Sequence, residues 1–149
     1  MKTKIELAGI TYTIYNGRLD LGDTQVTDLS PLMGMPLKGL WLDGSQVSDL
    51  SPLKGMPLKG LSLSGTKVVD LSPLKDIPLT GLDLSHTQIV DISPLEGMPL
   101  EVLWLSNTKI VDLSPLKGMP LRELYLSNTP AAKQPLLPEW LEKRIVFGL

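Results

Sequence analysis

The sequence predicts an α/β solenoid: one domain of short strands and tight turns wound into near-identical coils. Three observations predict it. LWLDGSQVSDLSPLKGMPLKG, starting at Leu40, is followed directly by LSLSGTKVVDLSPLKDIPLTG from Leu61, and copies also start at Leu19, Leu82 and Leu103, with a partial one at Leu124. The period is 21 residues, without insertion or deletion from Leu19 to Thr129, and self-similarity at a fixed period of about 20 to 50 residues marks a repeat architecture. Each copy also carries one Leu-x-Leu, a strand signal, and one Ser-Pro, a turn-start signal. Five full repeats and a sixth strand (19–129) therefore sit between an N-terminal cap (1–18) and a C-terminal cap (130–149).

The first 18 residues lie before the repeat register. Ile10, Tyr12 and Ile14 alternate with Thr11, Thr13 and Tyr15, the period-2 pattern of a half-buried strand. Asn16-Gly17 supplies the two positive φ values of a type I′ turn, so Leu19-Asp20-Leu21 returns as the first strand of the repeat sheet. An antiparallel hairpin covering the first coil is the expectation, extended by Ile5 and Leu7.

Within each repeat, a leucine pair (Leu40/Leu42, Leu61/Leu63, Leu82/Leu84, Leu103/Leu105, Leu124/Leu126) forms a short strand with both leucines inward, so the residue between them faces out. A hydroxyl column follows (Thr24, Ser45, Thr66, Thr87, Thr108, Thr129), then a Val/Ile column. Ser51 reads as a helix N-cap with Pro52 at the first helical position. Pro57 arrives too soon for more than one turn, so a 3₁₀ turn is expected, closed by Lys54-Gly55. After Thr129, Ala131 takes the Val column and Leu137 the Leu column. Pro138 to Ile145 reads as a short capping helix with Trp140 closing the core.

Composition excludes several classes. A net charge of −2 and a pI near 5.3 argue against nucleic acid. The outer lysine column (Lys54, Lys75, Lys117) is interrupted by Glu96 and reads as a solvated face. No cysteine is present, no apolar run is long enough to cross a bilayer, and MKTKIELAGITYTIYNGR lacks the apolar core of a signal peptide. These features predict a cytoplasmic, monomeric protein without cofactor.

Leu37-Lys38-Gly39-Leu40-Trp41-Leu42-Asp43-Gly44-Ser45-Gln46-Val47 resembles the leucine-rich repeat, with Ser/Thr at the family's Asn position. The Asp-Leu-Ser-Pro-Leu half resembles the bacterial internalin-like repeats, and more closely the short bacterial repeats ending in Gly-Met-Pro-Leu. The resemblance covers residues 19–129. It implies a right-handed arc with a concave parallel sheet, 3₁₀ turns on the convex side, and protein binding. Without asparagine, the family's side-chain ladder must be made by hydroxyls or by water.

The candidate site is the outward face of the sheet. The residues between the paired leucines are Asp20, Trp41, Ser62, Asp83, Trp104 and Tyr125; two positions earlier come Arg18, Gly39, Gly60, Gly81, Val102 and Glu123. Strands ~4.8 Å apart give a surface roughly 25–30 Å long over six coils. Trp41, Trp104 and Tyr125, exposed in a polar field, are candidate anchors for a protein or peptide, and Asp20, Asp43, Asp83 and Glu123 favour a basic one. The plainer alternative has Trp41 lying over Gly39 and Gly60 and Trp104 packing on Tyr125, as cover for backbone. A structural or consensus module without ligand, and carbohydrate binding by the aromatics, are the rival functions.

The aspartate column (Asp28, Asp49, Asp70, Asp91, Asp112) offers one carboxylate per coil, too few for calcium, and reads as capping of the following turn. His86, the single histidine, has Asp83 and Ser85 nearby but no third catalytic group, so no enzyme is predicted.

Overall fold

The computed structural model describes residues 2–134 and 139–141. Eight strands form one sheet in chain order: β1 (Lys2–Leu7), β2 (Ile10–Tyr15), β3 (Arg18–Asp20), β4 (Gly39–Trp41), β5 (Gly60–Ser62), β6 (Gly81–Asp83), β7 (Val102–Trp104) and β8 (Glu123–Tyr125). β1 to β3 pair antiparallel and β3 to β8 pair parallel. The parallel register advances by one repeat per strand: Leu19, Leu40, Leu61, Leu82, Leu103 and Leu124 stand side by side. The opposite face of each coil carries a three-residue 3₁₀ turn, from Ser30–Leu32 to Ser114–Leu116.

The N-terminal hairpin forms as expected, with Asn16 and Gly17 both at positive φ. A second such turn, Ala8-Gly9, adds β1 outside it. Alternation along β2 reaches the core only at its end: Ile14 is buried and Tyr12 packs against the core, whereas Ile10 is 56% exposed. The cross-strand partner of Ile10, Leu7, is buried, so at this end of the hairpin the core contact comes from β1.

Two columns of left-handed backbone allow each coil to close. Asp23, Gly44, Gly65, His86, Asn107 and Asn128 occupy the first, just after the strand; Gly34, Gly55, Asp76, Gly97 and Gly118 occupy the second, after the 3₁₀ turn. Asn, Asp and His are the non-glycine residues that best tolerate this region. His86 is thus placed by backbone geometry. Its Nε2 lies 3.4 Å from Asn107 Nδ2, and Asn128 Nδ2 donates to Asn107 Oδ1 at 3.0 Å.

The hydroxyl column bonds to backbone, as expected, but only within its own coil. Thr24, Thr66, Thr87, Thr108 and Thr129 donate to the carbonyl three residues earlier in their own coil, at 2.6–2.7 Å. They close the strand end instead of linking coils.

The serine expectation is corrected. Leu50, not Ser51, occupies the cap position; Ser51 opens the turn, Pro52 follows it, and no side chain of the cap residue itself bonds. The capping group is the aspartate two residues before the serine, whose Oδ1 accepts the serine N–H at 2.8–2.9 Å in all five coils. Four serine hydroxyls donate to the same carboxylate. An Asp side chain reaches a backbone N–H two residues on more readily than serine reaches its own turn.

The core is a stack of leucine, valine, isoleucine and methionine columns between sheet and turns, with Leu40, Leu53, Leu63, Leu82 and Leu105 fully buried. Beyond Thr129, Ala131 is buried and its N–H donates to Ile110 O at 2.9 Å, opening a last 3₁₀ turn at Ala131–Lys133. Leu137 and most of the expected 138–145 helix lie outside the described residues; within it, residues 139–141 form a turn, with Leu141 buried and Trp140 against the core.

Candidate binding face

The outward face is built by strand alternation, and its shape comes from glycine. Gly39, Gly60 and Gly81 lie in register on β4, β5 and β6. Trp41 folds back over the first: a Cβ on Gly39 would come within 2.7 Å of the indole ring. Gly60 and Gly81 have nothing within 4 Å of where a Cβ would stand. The result is a notch of about 280 Å³ with Trp41 and Trp104 as its walls, Gly60 and Gly81 as its floor, and Ser62 and Asp83 beside them.

At the other end, Trp104 and Tyr125 stack with ring centroids 5.6 Å apart and planes 8° from parallel. Tyr125 donates its hydroxyl to Glu123 Oε2 at 2.9 Å, and that hydrogen bond, more than burial, holds the phenol above its ordinary pKa. All three aromatics are half-buried. The expectation of exposed rings therefore holds in part: each keeps one surface open and spends the other on a glycine or on its neighbour.

The candidate carboxylates are also partly engaged. Asp20 accepts the Gly22 N–H at 2.9 Å and Asp83 the Ser85 N–H at 2.8 Å, both through Oδ1. Asp43 accepts the hydroxyl of Ser62 from the next coil. Each retains free oxygen lone pairs along the downstream side of the sheet: Asp20 and Asp83 end β3 and β6, and Asp43 lies two residues past β4. Asp20, Asp43 and Asp83 thus share one rim, and Glu123 belongs to the Tyr125 end of the face.

Sequence reasoning placed Arg18 on this face but missed Lys38 and Lys59 beside it on the opposite rim. Arg18, Lys38 and Lys59 are exposed along the upstream edge of the sheet and line a hollow of about 660 Å³ with Tyr15, Trp41 and Thr80. Leu37 and Leu40 are both buried although three residues apart. The chain therefore turns between them, at Lys38, whose N–H donates to Gly17 O. Strand periodicity does not extend to Lys38, because β4 begins at Gly39. The signal available in sequence was the repeated Leu-Lys-Gly at 37–39 and 58–60.

The outer aspartates stay committed to their turns. Hydrogen bonds hold all five below the usual carboxylate range: the serine hydroxyl first and its N–H second for Asp28, Asp49 and Asp70, the N–H first for Asp91 and Asp112. Among the described residues, no three His, Cys, Asp or Glu side chains converge as a metal site would require.

This architecture defines a leucine-rich-repeat solenoid, and the family description "Leucine Rich repeats (2 copies)" matches residues 79–118. The same architecture is found in two internalins of known structure. The chain is similar to an internalin (inlF) from Listeria monocytogenes str. 4b F2365, with 30% identity and a TM-score of 0.55 over 74% of this chain and 41% of that one. It is also similar in fold to an internalin C2 (inlC2) from the same strain, with 24% identity and a TM-score of 0.59, over 88% and 80% of the two chains. The chain thus spans less than half the length of the first of these relatives. A search of the curated proteins returns no match. No helix among the described residues is long and apolar enough to cross a membrane.

Proposed function

We propose that the chain is a non-enzymatic scaffold that holds a protein or peptide on its concave sheet face. The observation that carries this reading is the notch itself. Two tryptophans three strands apart flank two glycines over which no atom lies, so a partner's backbone can approach the sheet with aromatic surface on both sides. The lone pairs left on Asp20, Asp43 and Asp83 favour basic groups along the downstream rim, and Glu123 with Tyr125 extends the surface to the last strand.

Affinity capture from cell lysate, with the wild type beside the Trp41→Ala/Trp104→Ala protein, tests it. A partner retained by the wild type and lost by the variant, at an unchanged melting temperature, is the expected result. A collapse of stability in the variant would instead make the rings cover for the glycine lane. Retention by both proteins would move the site off this face.

A further inference from the structure

We propose that the hollow formed by Arg18, Lys38 and Lys59 is a carboxylate-recognition subsite, which seats an acidic side chain of an extended peptide lying in the groove. The inference deepens the scaffold reading and rests on it.

The hollow is lined by three cations and no carboxylate, on a chain whose net charge is −2. Lys38 and Lys59 are one repeat apart and neighbours across the coils, since the Lys59 N–H donates to Lys38 O at 2.8 Å. Like charges set side by side are destabilising, so the arrangement brings no stability of its own.

The same column supplies an internal comparison. Two coils further on it holds Glu101 and Arg122, paired at 3.4 Å. Among the described residues, Arg18, Lys38 and Lys59 form no ion pair with an acid. One end of the rim is neutralised and the other is left positive, beside the open glycines.

The surroundings specify the ligand further. The hollow shares Trp41, Gly60 and Gly81 with the tryptophan notch. In the other direction it shares Asn16 and Lys38 with an apolar hollow of about 570 Å³ lined by Ile14, Met35 and Leu37. A trough with an apolar recess, a cationic middle and a side-chain-free floor fits an extended segment with an acidic residue flanked by apolar ones. The carboxylate meets the cations, the neighbouring side chains enter the recess and the notch, and the backbone crosses Gly60 and Gly81. With Asp20, Asp43 and Asp83 on the far rim, charge fixes which way round the segment lies.

The test is a random dodecapeptide phage library panned on the full chain, with the winning peptide made fluorescent and titrated by anisotropy. The expected winners carry Asp or Glu beside an apolar residue. Their affinity should fall about tenfold or more in Lys38→Glu/Lys59→Glu, survive in Lys38→Arg/Lys59→Arg, and weaken several-fold from about 50 to about 300 mM NaCl. Thermal melts of both variants should match the wild type. Basic or uncharged winners that Trp41→Ala/Trp104→Ala releases but Lys38→Glu/Lys59→Glu does not would overturn this inference and leave the scaffold standing. No winners, or winners released by neither variant, would overturn both.

Discussion

Ser45 invites a single added methyl group. Its Oγ is the one buried side-chain polar atom without a hydrogen-bond partner among the described residues. In the other five coils the same column holds threonine, donating to the carbonyl three residues back. The equivalent acceptor, Leu42 O, is in place and already takes the Ser45 N–H at 3.0 Å. Serine leaves its hydroxyl free to rotate away; a β-branched side chain is restricted at χ1. The coils on either side, at Thr24 and Thr66, already accommodate a methyl group here. Ser45→Thr therefore restores a hydrogen bond worth about 0.5–1.5 kcal/mol and buries a methyl group worth about 0.8 kcal/mol. The sum, about 1.3–2.3 kcal/mol, raises the melting temperature by roughly 3–9 °C in a chain of this size. Circular dichroism melts read it directly, and a urea midpoint raised at constant m-value excludes a change in the unfolded state. The mirror change, Thr66→Ser, should lower the melting temperature. An unmoved or lower melting temperature in Ser45→Thr, or an indifferent Thr66→Ser, would refute the account of the column.

The outer aspartates predict the acid limb of stability. Because their folded pKa values are depressed by serine hydrogen bonds, their contribution is complete above the ordinary aspartate value of about 3.9 and is lost as pH falls through the folded values. The melting temperature should hold from about pH 7 to 5 and drop below about pH 4, with a smaller drop in Asp49→Asn/Asp70→Asn; equal acid sensitivity would contradict this role. Glycines divide by backbone: Gly44 sits at φ +64 with Asp23 Oδ1 in the space a Cβ would take, so Gly44→Ala should destabilise by about 1–2 kcal/mol or more. Gly81→Ala, with ordinary φ and open space, should be neutral or stabilise by up to about 1 kcal/mol in the same chemical denaturation series. Equal effects would dissociate stability from the left-handed column.

The repeat register was fully legible because a 21-residue period imposes the same inward positions on every coil. The first hairpin was legible in Asn16-Gly17, whereas Ala8-Gly9 was not, since alanine at φ +50 carries no turn signal. Alternation placed Trp41 and Trp104 on the outer face, but it says nothing of rotamers, so whether Trp41 lay over Gly39 or stood clear stayed open. The capping role of Asp49 was readable from its place before Leu50-Ser51-Pro52, while Ser51 misled because its preference for caps is shared with the aspartate beside it. Lys38 and Lys59 escaped because they lie one residue outside strands three residues long, where the period of two no longer holds.

Because each coil leans on the one before it and the one after, and on nothing more distant, the molecule has a mechanical character that a globular core lacks. Tension applied at the two ends meets a line of small, equivalent fastenings in series. Each that gives way frees 21 residues, about 70 Å of extended chain. Such a protein lengthens under load in equal quanta, like a tape released one loop at a time, while the loops still wound keep their shape.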